Sequence, residues 1–189
     1  MTAYDREYFE ALYYRDPDPW RFETSPYEQA KYAATLACLP RERYRQGLEL
    51  GCSIGVLTEK LIHRVDSLTA VDTSALALSR AQQRLEGKAH VRWIRAHLPG
   101  GHWQGEYDLV FLSEVLYYLD HDALRVLGER LSDYTVAGAS ILAVHWTGPT
   151  DYPLTAQAAV DGFEHALSQM HCVLRQRTDH YRIDLWQRN

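Results

Sequence analysis

With 189 residues, 46% of them hydrophobic and 24% charged, the chain is long enough to bury one core without disulfide or metal staples. Its formal net charge of −5 offers no basic surface for nucleic acid or an anionic membrane, and no apolar run approaches the roughly 20 residues that span a bilayer. Cys38, Cys52 and Cys172 are too far apart for a disulfide framework, and neither they nor the nine scattered histidines have metal-ligand spacing, so no metal is expected. The amino terminus carries charges from residue 5 onward and lacks the apolar stretch of a signal peptide, which makes the expected location the cytoplasm.

A first helix is predicted over Tyr4–Tyr14, where Tyr8, Phe9, Leu12 and Tyr13 form an apolar stripe, and Asp16-Pro17-Asp18-Pro19 must end it. A second helix starts at Ser25 as N-cap, with Pro26 at the first helical position and Glu28 completing a capping box, and runs to Leu39. From Gln46 strands and helices alternate. GLELG is a short buried strand, followed by a helix over Val56–Arg64, a strand Ser67–Asp72, a helix Ser74–Leu85 and a strand His90–Ile94. Asp108–Ser113, nearly all apolar, reads as a strand covered on both faces. Helix Asp122–Asp133 and strand Ser140–His145 continue the rhythm of a parallel, doubly wound α/β sheet. After a helix over Thr155–Gln169, the segments Cys172–Arg177 and Tyr181–Gln187 are joined too tightly for a parallel crossover, so at least one late strand is antiparallel.

The chemistry begins at Glu49-x-Gly51-x-x-x-Gly55, where a strand turns into a helix. Glycine there allows a tight turn and close approach of the backbone to a ligand. Asp72, 17 residues after Gly55 at the end of the next strand, is placed to accept hydrogen bonds from both hydroxyls of a ribose. The plainer alternative is a strand-to-helix turn with Asp72 capping the second core helix. A dinucleotide site normally has a third glycine, but Ser53 occupies the middle position, and a negative Glu49 repels a pyrophosphate while tolerating a sulfonium. The pattern favours S-adenosylmethionine over NAD.

GLELGCSIG, LTAVDTS and YDLVFLSEVLYYL resemble the successive motifs of class I S-adenosylmethionine-dependent methyltransferases. DPDPWRFETSPYEQAKYAATLACLP and HWTGPTDYPLT are similar to the NodS-like methyltransferases, named for a nodulation protein that N-methylates a de-N-acetylated chitooligosaccharide. The resemblance implies a single Rossmann-like domain: a seven-stranded, mostly parallel sheet with a late antiparallel strand. Residues 1–45 would form an amino-terminal helical cap, 46–147 the cofactor-binding core and 148–189 the last helix and strand pair. It implies that Glu49, Gly51 and Gly55, with Cys52 and Ser53, frame the amino-acid end of the cofactor, which leaves as S-adenosylhomocysteine. Asp72 would hold the ribose, with Thr73 and Ser74 following it at the adenine. His97, next to Leu98, stands where the class usually has an acid; a neutral imidazole can still accept one hydrogen bond, and a surface role is the alternative. Ser113, Val115 and Tyr118 would line the pocket from the fourth strand. Trp20, Arg21 and Tyr27 either close over the ligand, Arg21 pairing with the methionyl carboxylate, or pack the segment onto the sheet.

Acceptors in open α/β sheets bind beyond the carboxyl ends of the strands. Methyl transfer needs orientation and, for an amine, a proton acceptor. His145 leads the candidates because histidine titrates in the right range, against a structural role at a strand end. Asp151 is second, against a turn role; Glu114 reads first as structural. Tyr117 and Tyr118 offer hydroxyls to a sugar-like acceptor. The expected partner is a small molecule, an amino sugar or chitooligosaccharide. O- or carboxyl-methylation, or cofactor binding without turnover, are the alternatives.

Overall fold

The computed structural model describes residues 4–189. Seven strands form one sheet in the order β3-β2-β1-β4-β5-β7-β6, with β1 at Tyr44–Leu50, β2 at Val65–Asp72, β3 at Val91–Arg95, β4 at Tyr107–Ser113, β5 at Thr135–Trp146, β6 at Met170–Arg177 and β7 at Tyr181–Arg188. The first five pair in parallel, and β7 runs antiparallel to both β5 and β6. This is the expected doubly wound sheet with a late reversed strand. Strand order reverses between β1 and β4, and the carboxyl ends of those two strands open the crevice that holds the site.

Side chains alternate across the sheet. Leu109 and Phe111 of β4 and Leu142 and Val144 of β5 face one layer. Val110, Leu112, Ile141 and Ala143 face the other. The first layer is covered by α1 (Arg6–Arg15), α2 (Pro26–Ala37), α3 (Thr58–Leu61) and α4 (Ala75–Arg84), which contribute Tyr13, Tyr32, Leu61 and Leu78. The second is covered by α5 (His121–Tyr134) and α6 (Ala156–Ala166), which contribute Leu124, Leu127, Leu131 and Phe163. Among the described residues, no helix is long and apolar enough to cross a membrane.

Short polar side chains start most helices. Asp5, Ser25, Ser74, Asp120 and Thr155 each accept a hydrogen bond from the backbone N–H three residues on, which satisfies one orphan donor of the first turn. Two sequence expectations fail in detail. The helix foreseen over Val56–Arg64 contracts to the single turn Thr58–Leu61: Leu57 has no side-chain acceptor to cap it, and the Arg64 carbonyl is taken by Tyr44 N–H as the chain enters β2. The capping box at Ser25 is half made. Ser25 Oγ accepts from Glu28 N–H at 3.3 Å, but the Glu28 carboxylate turns away to Lys31.

Candidate active site

One cavity of about 410 Å³ opens at the β1/β4 crevice, within the ~300–1,000 Å³ usual for small-molecule sites. Its sheet-side wall is built by the β1 and β2 ends. Gly51 lines it with φ at +83°, a left-handed conformation that glycine adopts freely, and a Cβ there would press on Val115 Cγ2 at 3.3 Å. Asp72 lines the same wall. Its Oδ2 accepts from Ser53 N–H at 2.8 Å and its Oδ1 from Ser74 N–H at 2.9 Å, so two backbone donors aim the carboxylate. Burial raises its pKa, and those backbone hydrogen bonds oppose the rise. Cys52, Ser53, Thr73, His97, Leu98, Ser113 and Val115 line the same cavity. Thr73 Oγ1 and His97 Nδ1 are 3.3 Å apart, and burial followed by the nearby Arg6 charge lowers the His97 pKa, which keeps the ring neutral.

Glu49 differs from its expected state. It is buried in the cavity wall, and its Oε2 has no hydrogen-bond partner. Burial raises its pKa to about 8, with Thr58 opposing and the Asp72 charge adding to the rise. The group is therefore largely protonated at neutral pH.

Several expected contacts are absent from the cavity. Gly55 (φ +81°) serves packing: a Cβ there would lie 2.9 Å from Ala81 Cβ of α4. Ser74 is fully buried as the cap of α4 and shows no face to the cavity. Arg21 is 65% exposed and paired with Asp16, so it is not a carboxylate clamp. Asp151 is exposed outside the cavity, where its backbone carbonyl accepts from Tyr4 OH, while Pro149, Thr150 and Tyr152 line the wall in its place.

His145 is corrected most clearly. It is 0% exposed and behind the wall, with Nε2 accepting from Leu116 N–H at 3.1 Å and Val115 N–H at 3.4 Å. Burial lowers its pKa to about 4, outweighing the Glu114 and Asp184 charges. A ring whose lone pair is spent on backbone holds the turn after β4 and does not serve as a base.

The opposite wall comes from α1, α2 and the turn after β4. Trp20 and Tyr27 line it, as do Tyr117 and Tyr118, which sit on a 3₁₀ turn over Leu116–Tyr118. Tyr117 is buried and donates to Glu114 Oε2 at 2.6 Å; Tyr118 is half-buried and stacks its edge on Phe9. Glu114 takes a positive φ of +56° and accepts at Oε1 from Lys31 Nζ at 2.6 Å and at Oε2 from Trp146 N–H at 2.7 Å. Burial works to raise its pKa, but the Lys31 charge, His145 and these hydrogen bonds hold it below the usual value.

Sequence reasoning missed Tyr4, Phe9, Tyr13, Glu28 and Tyr32, all of which line the cavity. The α1 stripe was legible, but periodicity does not distinguish core from cavity wall. Tyr13 shows the difference, because its hydroxyl meets Ser53 Oγ at 2.5 Å on the glycine turn.

The family model described as Nodulation protein S (NodS) matches residues 10–132. Nodulation protein S of Sinorhizobium fredii (strain NBRC 101917 / NGR234) is 36% identical over 104 residues, covering 54% of this chain and 48% of that protein. Nodulation protein S of Bradyrhizobium diazoefficiens is 35% identical over 121 residues, covering 61% and 58%. The chain thus spans about half the length of the curated relatives it matches. Among solved structures, the N-methyltransferase NodS from Bradyrhizobium japonicum WM9, in complex with S-adenosyl-L-homocysteine, shares the fold with a TM-score of 0.83 at 22% identity, over 98% of this chain and 99% of that one. A proposed methyltransferase from Pseudomonas syringae matches with a TM-score of 0.76 at 39% identity, over 86% and 99%. The seven-stranded architecture is that of class I methyltransferases, and the chain belongs to the Nodulation protein S family.

Proposed function

We propose that the protein binds S-adenosylmethionine against Gly51, Asp72 and the Thr73–His97 pair, and methylates a nitrogen of a small acceptor held at the Tyr117–Tyr118 wall. The acceptor is an amino sugar, as in a de-N-acetylated chitooligosaccharide, and the reaction takes place in the cytoplasm. The observation that carries the reading is that one continuous cavity joins the aimed carboxylate of Asp72 to the aromatic and ionic wall of α2 and the Glu114 turn.

The residues suit the cofactor. The unpartnered, buried Glu49 Oε2 awaits a donor or cation, which an amino-acid moiety supplies, and the Gly51 turn lets backbone approach without a Cβ. When bound, the cofactor offers an electrophilic methyl group on a cationic sulfonium. The protein's share is orientation, worth ~7–11 kcal/mol in well-aligned reactions. Asp72, fixed by two backbone N–H groups, presents its remaining lone pairs to ribose hydroxyls. Neutral His97 accepts from an adenine amino group. Trp20, Phe22, Tyr118 and Tyr152 make an apolar surround that excludes water.

The test pairs calorimetric binding of S-adenosylhomocysteine with label transfer from S-adenosylmethionine to glucosamine oligomers, hydroxyl acceptors and carboxyl acceptors. Asp72→Asn leaves one backbone donor without its acceptor and should weaken binding at least about tenfold, about 1.4 kcal/mol. Unchanged affinity in the folded variant refutes the cofactor site. Transfer to hydroxyls or carboxyls alone refutes the amine acceptor, and binding without transfer to any acceptor refutes turnover.

A further inference from the structure

The α2 wall buries more acid than base. Glu28 is 8% exposed and Lys31 2% exposed, and both line the cavity with Glu114. Glu114 is saturated, its oxygens occupied by Lys31, Tyr117 and Trp146 N–H. Lys31 Nζ lies 3.0 Å from Glu28 Oε1 and 2.9 Å from Oε2, yet Oε2 receives no hydrogen bond. The neighbouring Tyr27 hydroxyl, also buried and on the cavity wall, has no partner either. One ammonium between two carboxylates leaves one negative charge uncompensated, and a buried unpaired charge costs several kcal/mol. A proton or a cation must complete the set.

On the reading that this cavity performs methyl transfer, we propose that Glu28 is the residue that binds the ammonium of the acceptor and takes its proton. The selectivity for amines over hydroxyls originates there. The acceptor's N–H bond breaks, its electron pair stays on nitrogen, and the proton moves to Glu28 Oε2. The freed pair then forms the N–C bond to the methyl group as the C–S bond breaks and its pair leaves on sulfur; Glu28 returns its proton to solvent.

Neighbouring groups fit this division of roles. Burial raises the Glu28 pKa, the Lys31 charge and hydrogen bond oppose the rise, Glu114 adds to it, and the Tyr32 hydroxyl opposes it. Burial alone lowers Lys31, but Glu114 and Glu28 lift it above the ordinary ammonium value, so it stays cationic and holds both carboxylates in place. Tyr27 is pushed up to about 12 by burial, and His145 stays neutral behind Glu114, so neither competes for the proton.

Glu28→Gln keeps the shape and loses the charge. With glucosamine oligomers at pH 7, kcat/KM should fall at least about 100-fold, the lower range of general-base effects, while S-adenosylhomocysteine affinity stays within about twofold. The variant's rate should recover as pH rises through the acceptor's own pKa, because the amine then arrives unprotonated. A wild-type rate and pH profile in Glu28→Gln overturns the proposal, as does wild-type protein that binds S-adenosylhomocysteine and methylates only hydroxyls. Failure of the wild type to bind S-adenosylhomocysteine overturns the cofactor reading itself. Should Glu28→Gln not fold, Glu28→Asp is the second variant: a lower kcat with a displaced acid limb supports the role, and an unmoved limb with full kcat overturns it.

Discussion

Gly51 and Gly55 belong to one motif but should fail in different ways when given a methyl group. Both have left-handed backbone, φ +83° and +81°, where an L side chain costs roughly 1–2 kcal/mol. Their surroundings differ. A Cβ on Gly55 would stand 2.9 Å from Ala81 Cβ, 3.0 Å from Ala81 Cα and 3.1 Å from Leu85 Cδ1, inside the packed seam between the turn and α4. Overpacking of that kind adds roughly 1–3 kcal/mol, so Gly55→Ala should cost about 2–5 kcal/mol. At roughly 2–4 °C per kcal/mol for a chain of this size, Tm should fall by about 4–20 °C. A Cβ on Gly51 meets Val115 Cγ2 at 3.3 Å, a flexible methyl that can shift, and that shift moves a residue of the cavity wall. Gly51→Ala should lose about 1–2 kcal/mol of stability, mostly backbone strain. Its affinity for S-adenosylhomocysteine should weaken about tenfold or more, about 1.4 kcal/mol, whereas Gly55→Ala should bind within about twofold of wild type. Guanidinium unfolding followed by circular dichroism gives the stabilities, and titration calorimetry of the folded variants gives the affinities. Equal losses of affinity in the two variants, or a Gly55→Ala cost below about 1 kcal/mol, would refute the division into a ligand-facing and a packing glycine.

Two further perturbations test the corrected residues. His145→Ala removes a buried ring and strands the Leu116 N–H, so unfolding free energy should drop by roughly 2–4 kcal/mol. In the folded fraction, the pH dependence of methyl transfer should keep its wild-type midpoint; a lost or shifted midpoint would restore His145 as a base. Burial pushes the Glu49 carboxyl up to about 8 from its ordinary value of 4.5, so the folded state holds the extra proton between those values. Its contribution to stability is present below pH 4.5 and lost as pH rises through 8, at up to about 1.4 kcal/mol per pH unit. Glu49→Gln should flatten this part of the stability–pH curve in urea unfolding, and a Gln variant that tracks wild type over the whole window contradicts the buried, protonated carboxyl.

What the sequence made legible was local. Ser25 caps its helix as read because cap chemistry is decided within four residues, and the strand-turn-acid order of Gly51 and Asp72 is decided within one βαβ unit. Glu28 shows where such reasoning stops: its spacing from Ser25 is that of a capping box, but its carboxylate turns to Lys31, whose ammonium also holds Glu114 after β4. His145 shows the same limit in reverse. A strand-end histidine has the right intrinsic pKa for a base, yet its state is set by two backbone N–H groups 29 and 30 residues away in the chain. Arg21 looked like a clamp by residue type, and its exposure and Asp16 partner depend on how the proline turn folds. Contacts outside the motif decided each of these residues, near in sequence for Glu28 and Arg21 and distant for His145.

Contacts of that kind also change the electrostatic basis for selecting a sulfonium ligand. The cavity is lined by four carboxyls, Glu28, Glu49, Asp72 and Glu114, and a single ammonium, Lys31. The Lys31 charge and its hydrogen bonds hold Glu114 below the usual carboxylate value, whereas burial raises the other three, Glu49 to about 8. Where no opposite charge is supplied, protonation meets the desolvation cost. Among the described residues, a diphosphate entering this cavity would find no lysine or arginine on its wall except Lys31, which two carboxylates already hold. A cationic ligand would instead favour ionisation of Glu49 at one end, and a cationic acceptor would do the same for Glu28 at the other. On this reading, discrimination against a dinucleotide would rest on carboxyls that release their protons to solvent as a cation arrives, and not on a fixed negative charge at Glu49.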